Sequence, residues 1–336
     1  MNNTATKSGQ DIGSVTSRLL ETIKGLFRVP EFVMFLVVVI LFIIGAIMNP
    51  RFIGIENQKI LTRDAAILAI AAIGVGFTII TAGIDLSVGS IVGLGGVFAA
   101  LFVVKLGMPI WLGIILTLAI GALIGTFHGW YVTRFNMHGF LVTLVTLGVA
   151  RGVLLVVTNA TPITGVPDGF KFLGQGYLFF DLIPVPVIIC AIVAGLAYYL
   201  LRFTYIGRQI YAAGGNIEAT RLSGVNVNAR IMLCYIISVV CAALVGIIQA
   251  ARLSLGHPGA GEGFELLAIT ACILGGLSLM GGQGSVIGIL VGSLLIAVLQ
   301  NEMVMLNINP FWHKIVIGSV LLVAITFDYA RRRRRN

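Results

Sequence analysis

Residues Arg202 to Arg230 read RFTYIGRQIYAAGGNIEATRLSGVNVNAR, the only long polar interruption in an otherwise apolar body. Its four arginines, Arg202, Arg208, Arg221 and Arg230, require water. Short basic loops resist translocation, so the stretch is expected on the cytoplasmic side of a membrane. Within it, Glu218 to Gly224 (EATRLSG) predicts a short helix: Asn216 can cap it, Glu218 suits its first turn, and Gly224 is a natural stop. A helix of about two turns is not held by its own propensity, so it needs a surface to dock on.

Composition agrees with that placement. Hydrophobic residues make up 58% of the chain and charged residues 10%, with a mean hydropathy of +1.04, which excludes an ordinary soluble domain. The net charge of +9 gathers at Arg202–Arg230 and at the terminal Arg331 to Arg335. That pattern fits orientation in a bilayer, and no nucleic-acid partner is expected. The four cysteines, Cys190, Cys234, Cys241 and Cys272, fall in apolar runs with no C-x-x-C pair, and read as buried filling. The first apolar run has no small-x-small cleavage site after Ile47, so it reads as an uncleaved anchor.

A bilayer core takes about twenty helical residues, and the uncharged runs convert into about ten spans of an all-α polytopic membrane protein. They are Phe32–Met48, Ala65–Gly83, Leu86–Val104, Ile110–Thr133, Phe140–Val157, Pro184–Leu201, Ile231–Ala251, Leu266–Met280, Ser285–Asn301 and Phe311–Phe327, with a break at Gly281–Gly284 dividing the eighth from the ninth. With both termini cytoplasmic, fourteen lysines and arginines lie inside, seven outside, and Arg151 lies within a span. The domain plan is residues 1–31 as a cytoplasmic N-terminal segment, 32–330 as the membrane domain with segment 202–230 exposed to the cytoplasm, and 331–336 as a basic cytoplasmic tail. Ser14–Val29 reads either as an amphipathic surface helix with Arg18, Lys24 and Arg28 toward lipid phosphates, or as a lead-in to the first span.

Secondary features have two readings each. The external loop Thr158–Ile183, rich in Phe170, Phe172, Tyr177, Phe179 and Phe180, suits either a cap over the outer mouth or an aromatic belt. Glycine ladders at Gly89/Gly93, Gly121/Gly125/Gly129 and Gly284/Gly288/Gly292 suit tight helix packing more than a glycine-lined conduit. Leu68-Ala69-Ile70 followed by Gly89–Gly93 parallels Leu267-Ala268-Ile269 followed by Gly284–Gly288, a hint of duplicated helix pairs. Asp85 sits in Gly83-Ile84-Asp85-Leu86-Ser87 between two spans, either as a cap at the surface or in a broken helix facing a cavity. Arg151 is expected to snorkel to the external headgroups. His128, Gln249, Gln300 and Asn301 are neutral hydrogen-bonding groups near span ends.

Several motifs, in order along nearly the whole chain after the first thirty residues, resemble the ribose-type ABC-importer permeases of bacterial carbohydrate uptake. They are Ala82–Gly89 (AGIDLSVG), Arg151-Gly152, Gly214–Val225 (GGNIEATRLSGV), Gly275–Ser285 (GGLSLMGGQGS) and Asn309-Pro310-Phe311-Trp312. One departure from the wider importer pattern is that Glu218-Ala219 is followed by Thr220 and not by a second alanine, and no Leu-Pro closes the segment. The resemblance implies a permease subunit of an ATP-driven importer in the bacterial inner membrane, moving a monosaccharide or similar small polar solute. It implies as partners an ABC ATP-binding subunit, a periplasmic or lipid-anchored substrate-binding protein, a second permease subunit, and membrane lipid. Glu218, Ala219, Arg221, Leu222 and Gly224 become the ATPase-coupling residues, with Glu218 and Arg221 for charged contacts and Leu222 as apolar anchor. Asp85, Ser87, Gln249 and Asn301 become candidates for the substrate pathway.

No Gly-Lys dipeptide occurs, so a G-x-x-x-x-G-K-[ST] loop is absent and ATP with its magnesium is expected on a partner chain. H-E-x-x-H and G-x-S-x-G are also absent, so no catalytic or metal residues are assigned and the chain reads as a non-enzymatic transport subunit. The competing readings are a permease for branched-chain amino acids or nucleosides, and an ion-coupled secondary sugar carrier.

Overall fold

A computed structural model of the chain describes residues 30–333, and its helices follow the apolar runs. The expected surface helix Ser14–Val29 lies outside the described residues. The chain opens with α1 (Pro30–Met48) and a short 3-10 turn (Pro50–Ile53) before α2 (Ile55–Ile80). Helix α2 starts ten residues before the expected span, because Glu56, Lys59, Arg63 and Asp64 lower hydropathy without opposing a helix. Every residue from Ala65 to Ile80 is buried, as a helix apolar all round should be. Helix α2 packs against the helices at Val185–Phe203, Val227–Leu253, Phe264–Leu274 and Val286–Met305.

After a non-helical break at residues 81–87, α3 (Val88–Ala100) runs on through a π turn to Lys105. It is followed by α4 (Ile110–Arg134) and α5 (Gly139–Thr158). The aromatic loop folds as β1 (Ile163–Thr164), α6 (Asp168–Gln175), β2 (Tyr177–Leu178) and β3 (Ile183–Pro184). Then come α7 (Val185–Phe203), α8 (Tyr205–Gly215), α9 (Ile217–Leu222), α10 (Val227–Leu253), β4 (Leu255–Gly256), α11 (Phe264–Leu274), α12 (Val286–Met305) and α13 (Pro310–Arg333). The strands are two-residue antiparallel pairs, β1 with β4 and β2 with β3, and the architecture is all-α.

Among the described residues eight helices are long and apolar enough to cross a membrane: α1, α2, α3 with its extension, α4, α5, α7, α10 and α12. Two shorter apolar helices, α11 and Pro310–Thr326 of α13, occupy the remaining expected spans. The eighth expected span needs correction. Helix α11 has eleven residues and rises about 17 Å, little more than half of a hydrocarbon core of about 30 Å. The chain leaves the helix at Gly275-Gly276, well before Gly281, because α12 packs its backbone directly on α11: a Cβ on Gly288 or Gly292 would collide with Gly275 O or Ala271 O.

The glycine ladders serve close packing. Gly121, Gly125 and Gly129 of α4 lie against the backbone of α10 at Val239, Ile236 and Met232. The four cysteines are buried and unpaired. Helix α10 has two distinguishable ends, one at Arg230 and one at Arg252. At the Arg252 end its last carbonyls are capped by the Gln175 amide, which donates to Ala251 O and Arg252 O at 3.2 and 2.9 Å, and Arg252 pairs with Asp64. The aromatic loop is thus fastened to this end: Phe170 is fully buried, while Phe179 and Phe180 remain exposed.

Arg151 does not snorkel. Its Nη1 donates to Pro258 O at 2.6 Å and Ala260 O at 3.1 Å, tying α5 to the loop that precedes α11. Free backbone carbonyls in a turn compete well for a guanidinium that would otherwise have to reach the headgroups.

Candidate functional site

At the Arg230 end, the polar stretch forms two helices where the sequence predicts one. Thr204 starts α8 by accepting from Gly207 N at 3.1 Å, and Ile206, Ile210, Ala213 and Gly214 turn inward. The signal was present as a capping threonine followed by apolar residues at helical spacing. Arg230 Nε holds Gln209 Oε1 at 2.7 Å, fixing α8 to the start of α10.

Helix α9 follows the expected pattern. Asn216 Oδ1 accepts from Ala219 N at 2.9 Å, the helix ends at Leu222, and Gly224 takes φ +80°, the left-handed conformation that favours glycine. Thr220 points inward and is buried. The other face carries Glu218, Arg221 and Leu222. Glu218 and Arg221 lie 3.4 Å apart as an exposed pair, which holds little energy in water. Leu222 is 87% exposed, a large apolar side chain at a helix tip with nothing on it.

The joint between α8 and α9 rests on backbone. Gly214 abuts Ile80 O, the end of α2, and Gly282 N, in the loop joining α11 to α12, with no room for a Cβ. Gly282 N itself donates to Ile80 O at 2.8 Å, and Tyr211 OH donates to Gly284 O at 2.8 Å. The break after α2 and the loop between α11 and α12 therefore meet, and the α8–α9 joint sits on both.

Five residues beyond Ile80 lies Asp85. It is fully buried in the break and does not cap at a surface. Oδ1 accepts from Ser87 N at 2.9 Å and Ser87 Oγ at 2.6 Å; Oδ2 accepts from Ser238 Oγ at 2.7 Å. Ser238 sits eight positions from Arg230 and fourteen from Arg252 along α10, about 12 Å and about 21 Å of helix. The carboxylate thus lies inside the bundle, nearer the Arg230 end. Among the described residues it forms no ion pair. Thr143 of α5 clamps the same break by accepting from Leu86 N at 3.0 Å.

Beside this network are two buried polar atoms with no hydrogen-bond partner among the described residues, Tyr235 OH and His128 Nδ1. Tyr235 OH is wedged between Gly83 and Gly139, either of which would collide if it carried a Cβ. His128 Nε2 is 2.8 Å from Thr146 Oγ1.

Of the four pathway candidates, the structure brings Asp85 and Ser87 together and leaves the other two apart. Gln249 is half-buried, eleven positions along α10 from Ser238, about 17 Å away. Asn301 is engaged in a reciprocal amide pair with Asn57 at 2.8 and 2.9 Å, joining α12 to α2 at the other end. Sequence reasoning missed Ser238, Tyr235 and Thr143; a serine and a tyrosine three apart within an apolar run were the available signal. No group of three or more His, Cys, Asp or Glu among the described residues could hold a metal.

The family described as branched-chain amino acid transport system / permease component matches residues 59–325. This chain belongs to that permease family. Its relatives include the ribose import permease protein RbsC of Haemophilus influenzae, 42% identical and covering 88% of this chain and 91% of the relative. RbsC of Escherichia coli K12 is 40% identical, covering 86% and 90%. The xylose transport system permease protein XylH of Haemophilus influenzae is 35% identical, covering 84% and 91%. No solved structure matches the chain. It is a multi-pass membrane permease, and these relatives are sugar permeases, which favours the carbohydrate reading over the amino-acid alternative.

Proposed function

We propose that the chain is the membrane subunit of an ATP-driven importer for a pentose or similar monosaccharide in the bacterial inner membrane. Similarity to ribose and xylose permeases supports the substrate class. The Arg230 end faces the cytoplasm, in keeping with its arginines. An ATP-binding subunit docks on α9, with Leu222 entering an apolar groove and Glu218 and Arg221 supplying the charged contacts. A second permease subunit completes the pathway. A substrate-binding protein delivers sugar at the Arg252 end, where α6 and the β2–β3 hairpin form the lid. Closure of the ATPase pushes α9, and the push passes through Gly214 to Ile80 and Gly282, that is, to both helix breaks.

The observation that carries this reading is the contact of the α8–α9 joint with the end of α2 and with the α11–α12 loop. The test is the triple variant Glu218→Ala, Arg221→Ala, Leu222→Ala, purified with its ATPase and reconstituted with the binding protein. The variant should insert and fold, but lose ATPase co-purification and uptake. Uptake at the wild-type rate would overturn the assignment, and sugar accumulation by this chain alone in sealed vesicles would point to the ion-coupled carrier.

A further inference from the structure

Beside the coupling joint, a cavity of about 650 Å³ opens between α1, α7, α8 and the start of α12. Its polar wall carries Arg202 in the last turn of α7, Arg208 in α8, and Glu31 in the first turn of α1. Its apolar wall includes Leu201 and Ile287. Glu31 is already engaged by Ser285 Oγ at 2.9 Å. Neither guanidinium has a hydrogen bond or ion pair among the described residues. Burial raises the Tyr211 hydroxyl above its usual range, and the nearby Arg202 charge opposes that shift.

The depth of the cavity matters. It lies where the apolar run of α7 ends, and the adjacent faces of α7 and α12 present Leu196, Tyr199, Phe203 and Ile287 outward to the lipid side. A basic pocket at the end of membrane helices, with an apolar wall continuing into the bilayer, has the chemistry of a phospholipid site. The sequence leading into Glu31 adds Arg18, Lys24 and Arg28 and only Glu21 as an acidic residue near them, so the chain's own N-terminal segment is a poor electrostatic match for the two arginines.

We infer that this cavity holds one membrane phospholipid, its phosphodiester accepted by Arg202 and Arg208 and its acyl chains lying along α7 and Ile287. Arginine supplies planar, paired donors suited to phosphate, and an acyl chain adds the burial that a soluble anion lacks. Among the described lining residues the Glu31 carboxylate is the one opposing charge, and it accepts from Ser285 Oγ. The lipid would bridge α1, α7 and α12 at the level of the coupling joint.

Native mass spectrometry of the full chain, delipidated in detergent and titrated with phosphatidylethanolamine or phosphatidylglycerol, tests this. The wild-type chain should retain one lipid per copy. Arg202→Gln with Arg208→Gln should weaken retention at least tenfold, and Arg202→Lys with Arg208→Lys should keep a measurable part of it. Inorganic phosphate at the same concentration should not compete. Wild-type retention by the glutamine pair would overturn the assignment, as would full displacement by inorganic phosphate, which would mark a soluble-anion site. Monodispersity of each variant on size exclusion separates loss of the site from loss of the fold.

Discussion

Gly282 donates its amide hydrogen to the carbonyl of Ile80 at 2.8 Å, so the loop after α11 is bonded to the last turn of α2. Two helix breaks far apart in sequence share one backbone hydrogen bond, and Gly214 is pressed against both partners of it. A displacement of Gly214 cannot leave either break where it was.

Gly214→Val is therefore expected to disturb transport while its neighbour tolerates change. A Cβ at Gly214 meets backbone atoms that cannot rotate away, whereas one at Gly215 meets nothing within 4 Å. Gly214→Val should reduce ATP-driven uptake in proteoliposomes more than tenfold, with the ATPase still bound through α9. Gly215→Ala should leave uptake within about twofold. Equal rates for the two variants would remove the joint from the force path.

Asp85 and Ser238 form a bond between elements 153 residues apart. Ser238→Ala removes the donor to Asp85 Oδ2 and should lower stability by about 1–3 kcal/mol, the range for a buried polar group left unsatisfied. Asp85→Leu leaves Ser87 and Ser238 hydroxyls without their acceptor and should cost at least as much. Thermal denaturation in detergent measures both, and an unchanged melting temperature for Ser238→Ala would argue that the bond is not made in the membrane.

Tyr235 gives the opposite expectation. Its buried hydroxyl has no partner among the described residues, and an unsatisfied polar group costs about 1–3 kcal/mol. Tyr235→Phe should thus match or exceed the wild-type melting temperature. If the hydroxyl finds a partner in another state of the transport cycle, the same variant should slow uptake by holding the chain in this one. A loss of stability above about 1 kcal/mol would show the hydroxyl to be satisfied.

The Asn57–Asn301 pair separates packing from transport. Asn301→Ala leaves the Asn57 amide with only its bond to Phe52 O and should destabilise by about 1–3 kcal/mol, while Asn57→Leu with Asn301→Leu should recover part of that loss. Uptake per folded molecule should stay near wild type in the double variant. A sugar-specific defect there would return Asn301 to the pathway.

The sequence was most informative where the physics is local. Asn216 capping Ala219 and Gly224 in the left-handed region were readable because a short helix is fixed by its own ends. Apolar run length placed eight long helices for the same reason. Long-range contacts were not readable: nothing near Asp85 announces that its partner is Ser238, and nothing near Arg151 announces the carbonyls of Pro258 and Ala260. Helix α11 was overestimated because hydropathy continues through Gly275-Gly276 while the backbone does not. Helix α8 was hidden because Arg208 and its three glycines made a half-buried amphipathic helix look like a polar loop.

Helix α10 runs for twenty-seven residues, about 40 Å, and is fastened at Gln209, at Asp85 and at the Gln175 amide. In the proposed assembly a single stiff rod thus links the helix pair on which the ATPase docks to the loop on which the delivery protein sits. Thermodynamic reciprocity then requires that, in this assembly, the factor by which a loaded delivery protein changes ATP affinity equals the factor by which ATP changes the affinity for the loaded delivery protein.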